Sequence, residues 1–355
     1  MASPIPVQNI YFLLAYAWNR LPESEVVDVS GLESQELADL FAVVLINGIR
    51  HLLRRGLDQS YLAQEEELAG IRGRINIGVT ARRMLASHGR AYCEFDELHV
   101  DTSPNQILRA TVVKLSQAST LDSGLRSKLR GLNRELGGIS VIPLNQQVFR
   151  TVQLHSNNRF YRFLLSICEL VVRMSLIDES EGQFRFRDFI RDEKAMARLF
   201  ESFVFNFYRH ECPDLDIRKE RIYWQASSNT DPDLRFLPTM ETDISVRDKP
   251  HFKTLIIDTK FYRETFQKYY DAEKLHSANL YQLLTYLTNL EQRQGPDALA
   301  SGMLLYPVVD RDVAIDYELA DKHVSIRTLN LAAPASSISN ELLELVKPYR
   351  SIEAL

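Results

Sequence analysis

Apolar residues recur along this chain with two different periods. Leu37, Leu40, Phe41, Val44, Leu45, Ile49 and Leu52 fall at helix spacing and predict a helix over 33–55, stopped by Gly56. An apolar stretch at 10–18 precedes it. Short runs of strand character follow at 67–77 and 91–100, with Gly70, Gly73 and Gly78 placed where turns or close backbone approach would need them. The polar Ser156-Asn157-Asn158 marks the expected domain boundary. Beyond it the pattern predicts an apolar helix over 160–176 and a second over about 188–211, where Met196, Leu199, Phe200, Phe203, Val204 and Phe207 form one stripe. The period then changes to two. Strands are predicted at 221–226, 238–246 and 254–261, a long helix at about 273–293, and further strands at 302–306 and 323–331. The expected fold is an α+β N-terminal domain over 1–154, followed by an α/β domain over 155–355 with its core at about 189–332. That core should hold a mixed central sheet flanked by helices.

Composition narrows the function classes. The chain has 355 residues, 45% of them apolar, which is ordinary for two domains with real cores and excludes disorder. No apolar run approaches the ~18 residues of a spanning helix, and residues 1–9 lack a secretory signal, so a cytoplasmic protein without membrane association is expected. Cys93, Cys168 and Cys212 lie far apart and offer neither a disulfide framework nor a CxxC pair, so all three read as core thiols. The net charge is −5. Residues 1–150 are charge-balanced, so the acidic surplus lies wholly in the remainder, which argues against coating nucleic acid by bulk electrostatics. Locally the balance differs: Arg72, Arg74, Arg82, Arg83 and Arg90 cluster in a segment with no Asp or Glu. Two readings stay open there, a solvated hairpin face or a contact surface for nucleic acid or an acidic partner.

Candidate chemistry concentrates late in the chain. In Leu255-Ile256-Ile257-Asp258-Thr259-Lys260 the strand period puts Asp258 and Lys260 on one face at the end of a buried strand. Glu241 and Asp243 share a face one strand earlier, and if the strands pair, carboxylates and a lysine converge. Such oxygen ligands suit Mg²⁺, and a lysine beside them suits metal-assisted phosphodiester hydrolysis; the alternative is a buried ion pair. The second Asp-x-Lys, Asp192 to Lys194, starts a helix, where residues two apart diverge by roughly 200°. On the long helix Gln282 and Tyr286 share a polar face at i, i+4. Glu201 sits within an apolar stripe, where a lone carboxylate needs a cation unless it lies on an exposed flank. Between strand and helix, Tyr262, Arg263, Phe266, Lys268, Tyr269 and Tyr270 interleave aromatic with basic residues, suited either to a DNA strand or to packing of a loop.

Asp243 followed by Asp258-Thr259-Lys260 resembles the PD-(D/E)xK nuclease signature, with Thr242 standing where that signature has proline, and Gln282-x-x-x-Tyr286 resembles the QxxxY motif of RecB-like members. More narrowly, Ile5-Pro6-Val7-Gln8-Asn9-Ile10-Tyr11, Leu14-x-Tyr16-Ala17-Trp18, Gly70-Ile71-Arg72-Gly73-Arg74-Ile75, Leu199-Phe200-Glu201, Met240-Glu241-Thr242-Asp243-Ile244 and Asn279-Leu280-Tyr281-Gln282-Leu283 resemble the McrC family. These are nuclease subunits of McrBC-type, 5-methylcytosine-specific, GTP-dependent restriction systems. The resemblance implies an N-terminal domain that docks into a hexameric McrB AAA+ GTPase and stimulates its GTP hydrolysis, and a C-terminal domain that cuts double-stranded methylated DNA. It implies Mg²⁺, with Mn²⁺ as a substitute, held by Asp243 and Asp258 with Glu201 in support. It further implies Lys260, Gln282 and Tyr286 in catalysis. GTP belongs to the partner, since this chain has no G-x-x-x-x-G-K-[ST] segment. For the partner or DNA contact, Arg72, Arg74, Arg82, Arg83, Arg263 and Lys268 are the candidates. Competing expectations are a scaffold and GTPase-activating subunit with a vestigial site, and an autonomous RecB-like repair nuclease.

Overall fold

Helix α1 (Val7–Ala17) buries Val7, Ile10, Leu13 and Leu14, and it packs on a helix from the far half of the sequence, Glu193–Glu211. The computed structural model describes all residues except 1–4, 30, 33, 35, 155–157, 178–183, 187–191, 262–266, 270–271, 275, 309–311 and 351–355. The chain divides into a unit of Val26–Arg187 and a discontinuous unit of Met1–Glu25 with Asp188–Leu355. This differs from the boundary expected after 154. Asn9 Nδ2 donates to the carbonyls of Leu331 and Ala333, both at 2.7 Å, and Tyr16 Oη donates to Glu211 Oε1 at 2.6 Å. Those bonds join α1 to the later residues. The apolar helix expected at 160–176 belongs instead to the first unit, where Tyr161 Oη donates to Asn105 Oδ1 at 2.7 Å.

Within Val26–Arg187, α2 (Leu37–Arg55) ends as expected at Gly56, whose φ of 98° suits glycine. Strands β1 (Ser60–Leu68), β2 (Arg74–Ile75) and β3 (Ala91–His99) form a three-stranded antiparallel sheet in the order β1-β3-β2, with Ser60 opposite His99 and Leu68 opposite Ala91. Helices α3 (Ser103–Ser116), α4 (Ser123–Glu135) and α5 (Arg159–Met174) follow, with short helices at Ile77–Arg82 and Gln146–Thr151 and a hairpin of Ser175–Ile177 with Phe184–Phe186. The unit is α+β, as expected, although α3 and α4 were not predicted. The first strand lies earlier than expected, at 60–68, because Gln64-Glu65-Glu66-Glu67 carries no apolar alternation.

The discontinuous unit contains α6 (Glu193–Glu211), whose stripe of Met196, Leu199, Phe200, Phe203, Val204 and Phe207 is buried. It continues with β4 (Asp216–Arg218), β5 (Arg221–Ile222), β6 (Met240–Glu241), β7 (Ile244–Asp248), β8 (Lys253–Thr259) and α7 (Ser277–Gln292). It ends with β9 (Ser301–Val308), β10 (Ala314–Leu319), β11 (Lys322–Asn330) and α8 (Ala335–Val346). The six-stranded sheet runs β10-β11-β9-β8-β7-β4. Strands β8, β9 and β11 are parallel, while β4, β7 and β10 join antiparallel, so the sheet is mixed. Helix α7 packs on β8 and β9, while α6 contacts β8 and α8 contacts β11. Ile256, Leu304, Tyr306 and Ile326 from the sheet meet Leu283, Tyr286, Leu287 and Leu290 of α7 in one core. All three cysteines are free and buried. Among the described residues no helix is long and apolar enough to cross a membrane.

Candidate active site

Strand β8 is buried from Thr254 to Thr259 because both of its faces are covered, and alternation fixes what each face offers. Ile256 packs against α7, so Asp258 and Lys260, two and four residues on, point toward the same helix. The expected strand over 238–246 is broken. Its first piece, β6, pairs with β5 outside the main sheet; its second, β7, pairs with β8, and the chain changes sheets at Thr242 and Asp243. Glu241 and Asp243 therefore do not present a shared face. Glu241 is exposed, and its carbonyl is the part that reaches the site. Thr242 is 1% exposed, donates its N–H to Glu220 O at 2.9 Å and accepts from Glu220 N–H at 3.0 Å. Proline there could not make the first of these bonds.

Six side chains converge where the β7–β8 ladder ends at Ile244 opposite Ile257. Thr259 donates both its N–H and its hydroxyl to Asp243 Oδ2, each at 2.8 Å. Lys260 Nζ lies 2.9 Å from Asp258 Oδ2 and donates to Gln282 Oε1 at 3.1 Å. Gln282 Nε2 donates to Tyr286 Oη at 2.6 Å, and the Tyr286 hydroxyl donates to Glu241 O at 3.0 Å. The i, i+4 spacing on α7 thus builds a chain from the lysine to the backbone preceding Asp243.

Asp258 is fully buried, and the Lys260 ammonium 2.9 Å from its Oδ2 is the partner it has among the described residues. Burial pushes its carboxyl up to about 7, with Asp243 and Glu201 pushing the same way and Lys260 opposing. Asp243 is raised too, first by burial and then by Glu201, against the two bonds from Thr259. Burial likewise raises the Tyr286 hydroxyl, so it stays protonated. Two carboxylates thus share one ammonium, Lys260, and the site is short of positive charge.

Other expected residues fall differently. Glu201 has found its cation in Lys219, with which it forms an ion pair. Among the described residues no group of three or more His, Cys, Asp and Glu is disposed to hold a metal ion, which leaves Asp243 and Asp258 as a pair. In the arginine cluster, Arg72 pairs with Glu97 and stacks over Phe95, Arg90 pairs with Glu67, and Arg83 lies over Tyr92. Arg74 and Arg82 are exposed. Arg263 lies outside the described residues, as do Tyr262, Phe266, Tyr270 and the side chain of Lys268, whose backbone sits in the short strand Gln267–Tyr269. Thr259 and Lys219 escaped the sequence reading. A hydroxyl between two charges at a strand end was the available signal for Thr259, and nothing local marked Lys219.

Residues 8–307 match the family model described as McrBC 5-methylcytosine restriction system component. The chain is 37% identical over 345 residues to the Escherichia coli K12 protein named "Type IV methyl-directed restriction enzyme EcoKMcrBC", covering 97% of this chain and 98% of that one. Its fold is similar to a chain of the half-complex from the tetradecameric assembly of Thermococcus gammatolerans McrB AAA+ hexamers with bound McrC. There the TM-score is 0.60 at 17% identity, over 96% of this chain and 75% of that one. With the family model spanning the strand, the turn and the helix that assemble the site, the chain belongs to the McrBC 5-methylcytosine restriction system component family.

Proposed function

We propose that this chain is the Mg²⁺-dependent DNA endonuclease subunit of a McrBC-type modification-dependent restriction complex, with a PD-(D/E)xK site at Asp243, Asp258 and Lys260. One observation carries the reading: the fully buried Asp258 and the neighbouring Asp243 share the single ammonium of Lys260, which lies 2.9 Å from Asp258 Oδ2, so the site is short of one positive charge. Stable cores avoid that arrangement unless a cation completes it. Mg²⁺ is commonly held by one or two carboxylates, with waters and substrate phosphates filling its shell, so Asp243 and Asp258 suffice; Mn²⁺ shares the ligand preference. When bound, the ion supplies Lewis-acid polarisation of the scissile phosphate. Lys260, held between Asp258 and Gln282, offers its ammonium to negative charge developing on the phosphate. Gln282 and Tyr286 act as positioning residues, because their donors are committed to each other and to Glu241 O. Glu201, paired with Lys219, tunes the two aspartates by its charge.

In the setting we propose, a McrB-like AAA+ GTPase hexamer binds GTP and selects methylated double-stranded DNA, and this chain stimulates GTP hydrolysis and cuts, in the cytoplasm; the family membership and the fold shared with a McrB-bound McrC support it. The Val26–Arg187 unit is the part that docks, with Arg74 and Arg82 as its exposed candidate contacts. The test is co-purification with a GTPase encoded beside this chain, then cleavage of methylated DNA with GTP and Mg²⁺. D258A and K260A should lose cleavage yet keep partner binding and GTPase stimulation. Full cleavage by both would refute the site. Mg²⁺-dependent cutting by the chain alone, without GTP or partner, would favour an autonomous RecB-like nuclease.

A further inference from the structure

Strand β8 alternates its backbone donors between its two neighbours. Lys260 N–H bonds Leu305 O of β9 at 3.0 Å, so Thr259 N–H faces the other side, toward β7. The β7–β8 ladder has already ended there, at Ile244 opposite Ile257, because the chain turns away at Thr242 and Asp243. The donor that would have met a backbone carbonyl meets Asp243 Oδ2 instead, and the Thr259 hydroxyl bonds the same oxygen, both at 2.8 Å. Thr259 is 8% exposed, so water competes weakly for either bond.

We propose that Thr259, the residue between the two charged members of the Asp-x-Lys motif, is a positioning residue for Asp243, clamping Oδ2 from two sides so that Oδ1 is presented for metal binding. The inference rests on the proposed role of Asp243 as a metal ligand. Without the clamp, the Asp243 carboxylate is free to turn toward Lys260, whose charge already acts on it. That rotation would spend the lysine and withdraw the ligand together. Two donors on a single oxygen also leave the ladder's last N–H satisfied, so sheet termination and ligand orientation are one device. Partners that orient a metal ligand typically change metal affinity by 10- to 100-fold when removed.

The test uses the full chain carrying T259V, which removes the hydroxyl and keeps the shape, T259S, which restores the hydroxyl, and D243A as a control. Calorimetric titration with Mn²⁺ should find affinity lowered about tenfold in T259V, near wild type in T259S, and lost in D243A. In the cleavage assay with the GTPase partner, T259V should need about tenfold more Mg²⁺ for half-maximal rate, with the maximal rate at saturating Mg²⁺ little changed. Thermal melts in EDTA check that the variants fold. Metal binding unchanged in T259V but lost in D243A would overturn the clamp. Equal losses in T259V and T259S would also overturn it, since packing rather than the hydroxyl would then be responsible. Metal binding unchanged in D243A would overturn the ligand assignment beneath it.

Discussion

Replacing Asp258 by asparagine should stabilise the metal-free protein while abolishing cleavage. The side chain is fully buried and its carboxyl is pushed from an ordinary 3.8 up to about 7, chiefly by burial. Each pKa unit corresponds to about 1.4 kcal/mol, so ionising this group in the folded state costs about 4 kcal/mol relative to the unfolded chain. The sign follows from proton uptake. Between about pH 4 and pH 7 the folded state holds a proton that the unfolded state has released, so wild-type stability falls as pH rises through that window and levels off above it. Asparagine has no such proton. The advantage of D258N should therefore be about 2 kcal/mol at pH 5.5 and about 4 kcal/mol at pH 8.5. Urea denaturation in EDTA, followed by tryptophan fluorescence, is the assay. Trp18 and Trp224 both belong to the discontinuous unit, so the signal reports the unit that holds the site. Adding Mg²⁺ should narrow the gap by stabilising wild type alone. A variant no more stable than wild type at pH 8.5, or an advantage independent of pH, would refute the argument that Asp258 is a strained buried charge.

Three further outcomes follow from the geometry. Y286F removes the hydroxyl that links Gln282 to Glu241 O, and it should lower maximal cleavage about 10- to 100-fold by loosening Lys260, with partner binding unchanged in a pull-down. R247A leaves Glu220 and Asp297 without the guanidinium they share, and urea titration should find the discontinuous unit destabilised by about 3 kcal/mol. Gly73 has a φ of 68°, and a Cβ there would stand 2.4 Å from Glu94 O. G73A should cost about 2 kcal/mol and speed hydrogen exchange in the Ser60–Leu68 and Ala91–His99 strands.

Much of the site was legible because it is local. The run from Leu255 to Ile257 announces a strand buried on both faces, its period puts Asp258 and Lys260 together, and i, i+4 spacing pairs Gln282 with Tyr286. What could not be read depends on partners distant in sequence. Thr259 points away from Asp258 along the strand, and it acquires a role only because the ladder with β7 ends two residues before it, at Ile257. The arginine cluster lacks acids of its own, yet Glu67 and Glu97 from the paired strands reach Arg90 and Arg72. Elements with thin apolar stripes left no clear period: α4 buries only Leu129 and Leu132, and β10 is an edge strand exposed along most of its length.

The discontinuity of the site-bearing unit governs how it can be isolated. A cut at the polar stretch near 155 looks natural in sequence, but the resulting 155–355 fragment would lack α1. That helix buries Val7, Ile10, Leu13 and Leu14 against the later residues, worth on the order of 8 kcal/mol at about 2 kcal/mol per side chain. Asn9 adds a buried hydrogen bond to the carbonyl of Leu331 and a partly buried one to that of Ala333. Losses of that size rival the whole stability of a typical domain, about 5–15 kcal/mol. The 155–355 fragment should therefore melt without a cooperative transition. Co-expression with a 1–25 peptide should restore the transition, and an N9A version of that peptide should restore it less well. Cooperative, wild-type-like melting of the fragment alone would mean that α1 is an accessory, and that the nuclease fold closes its core without it.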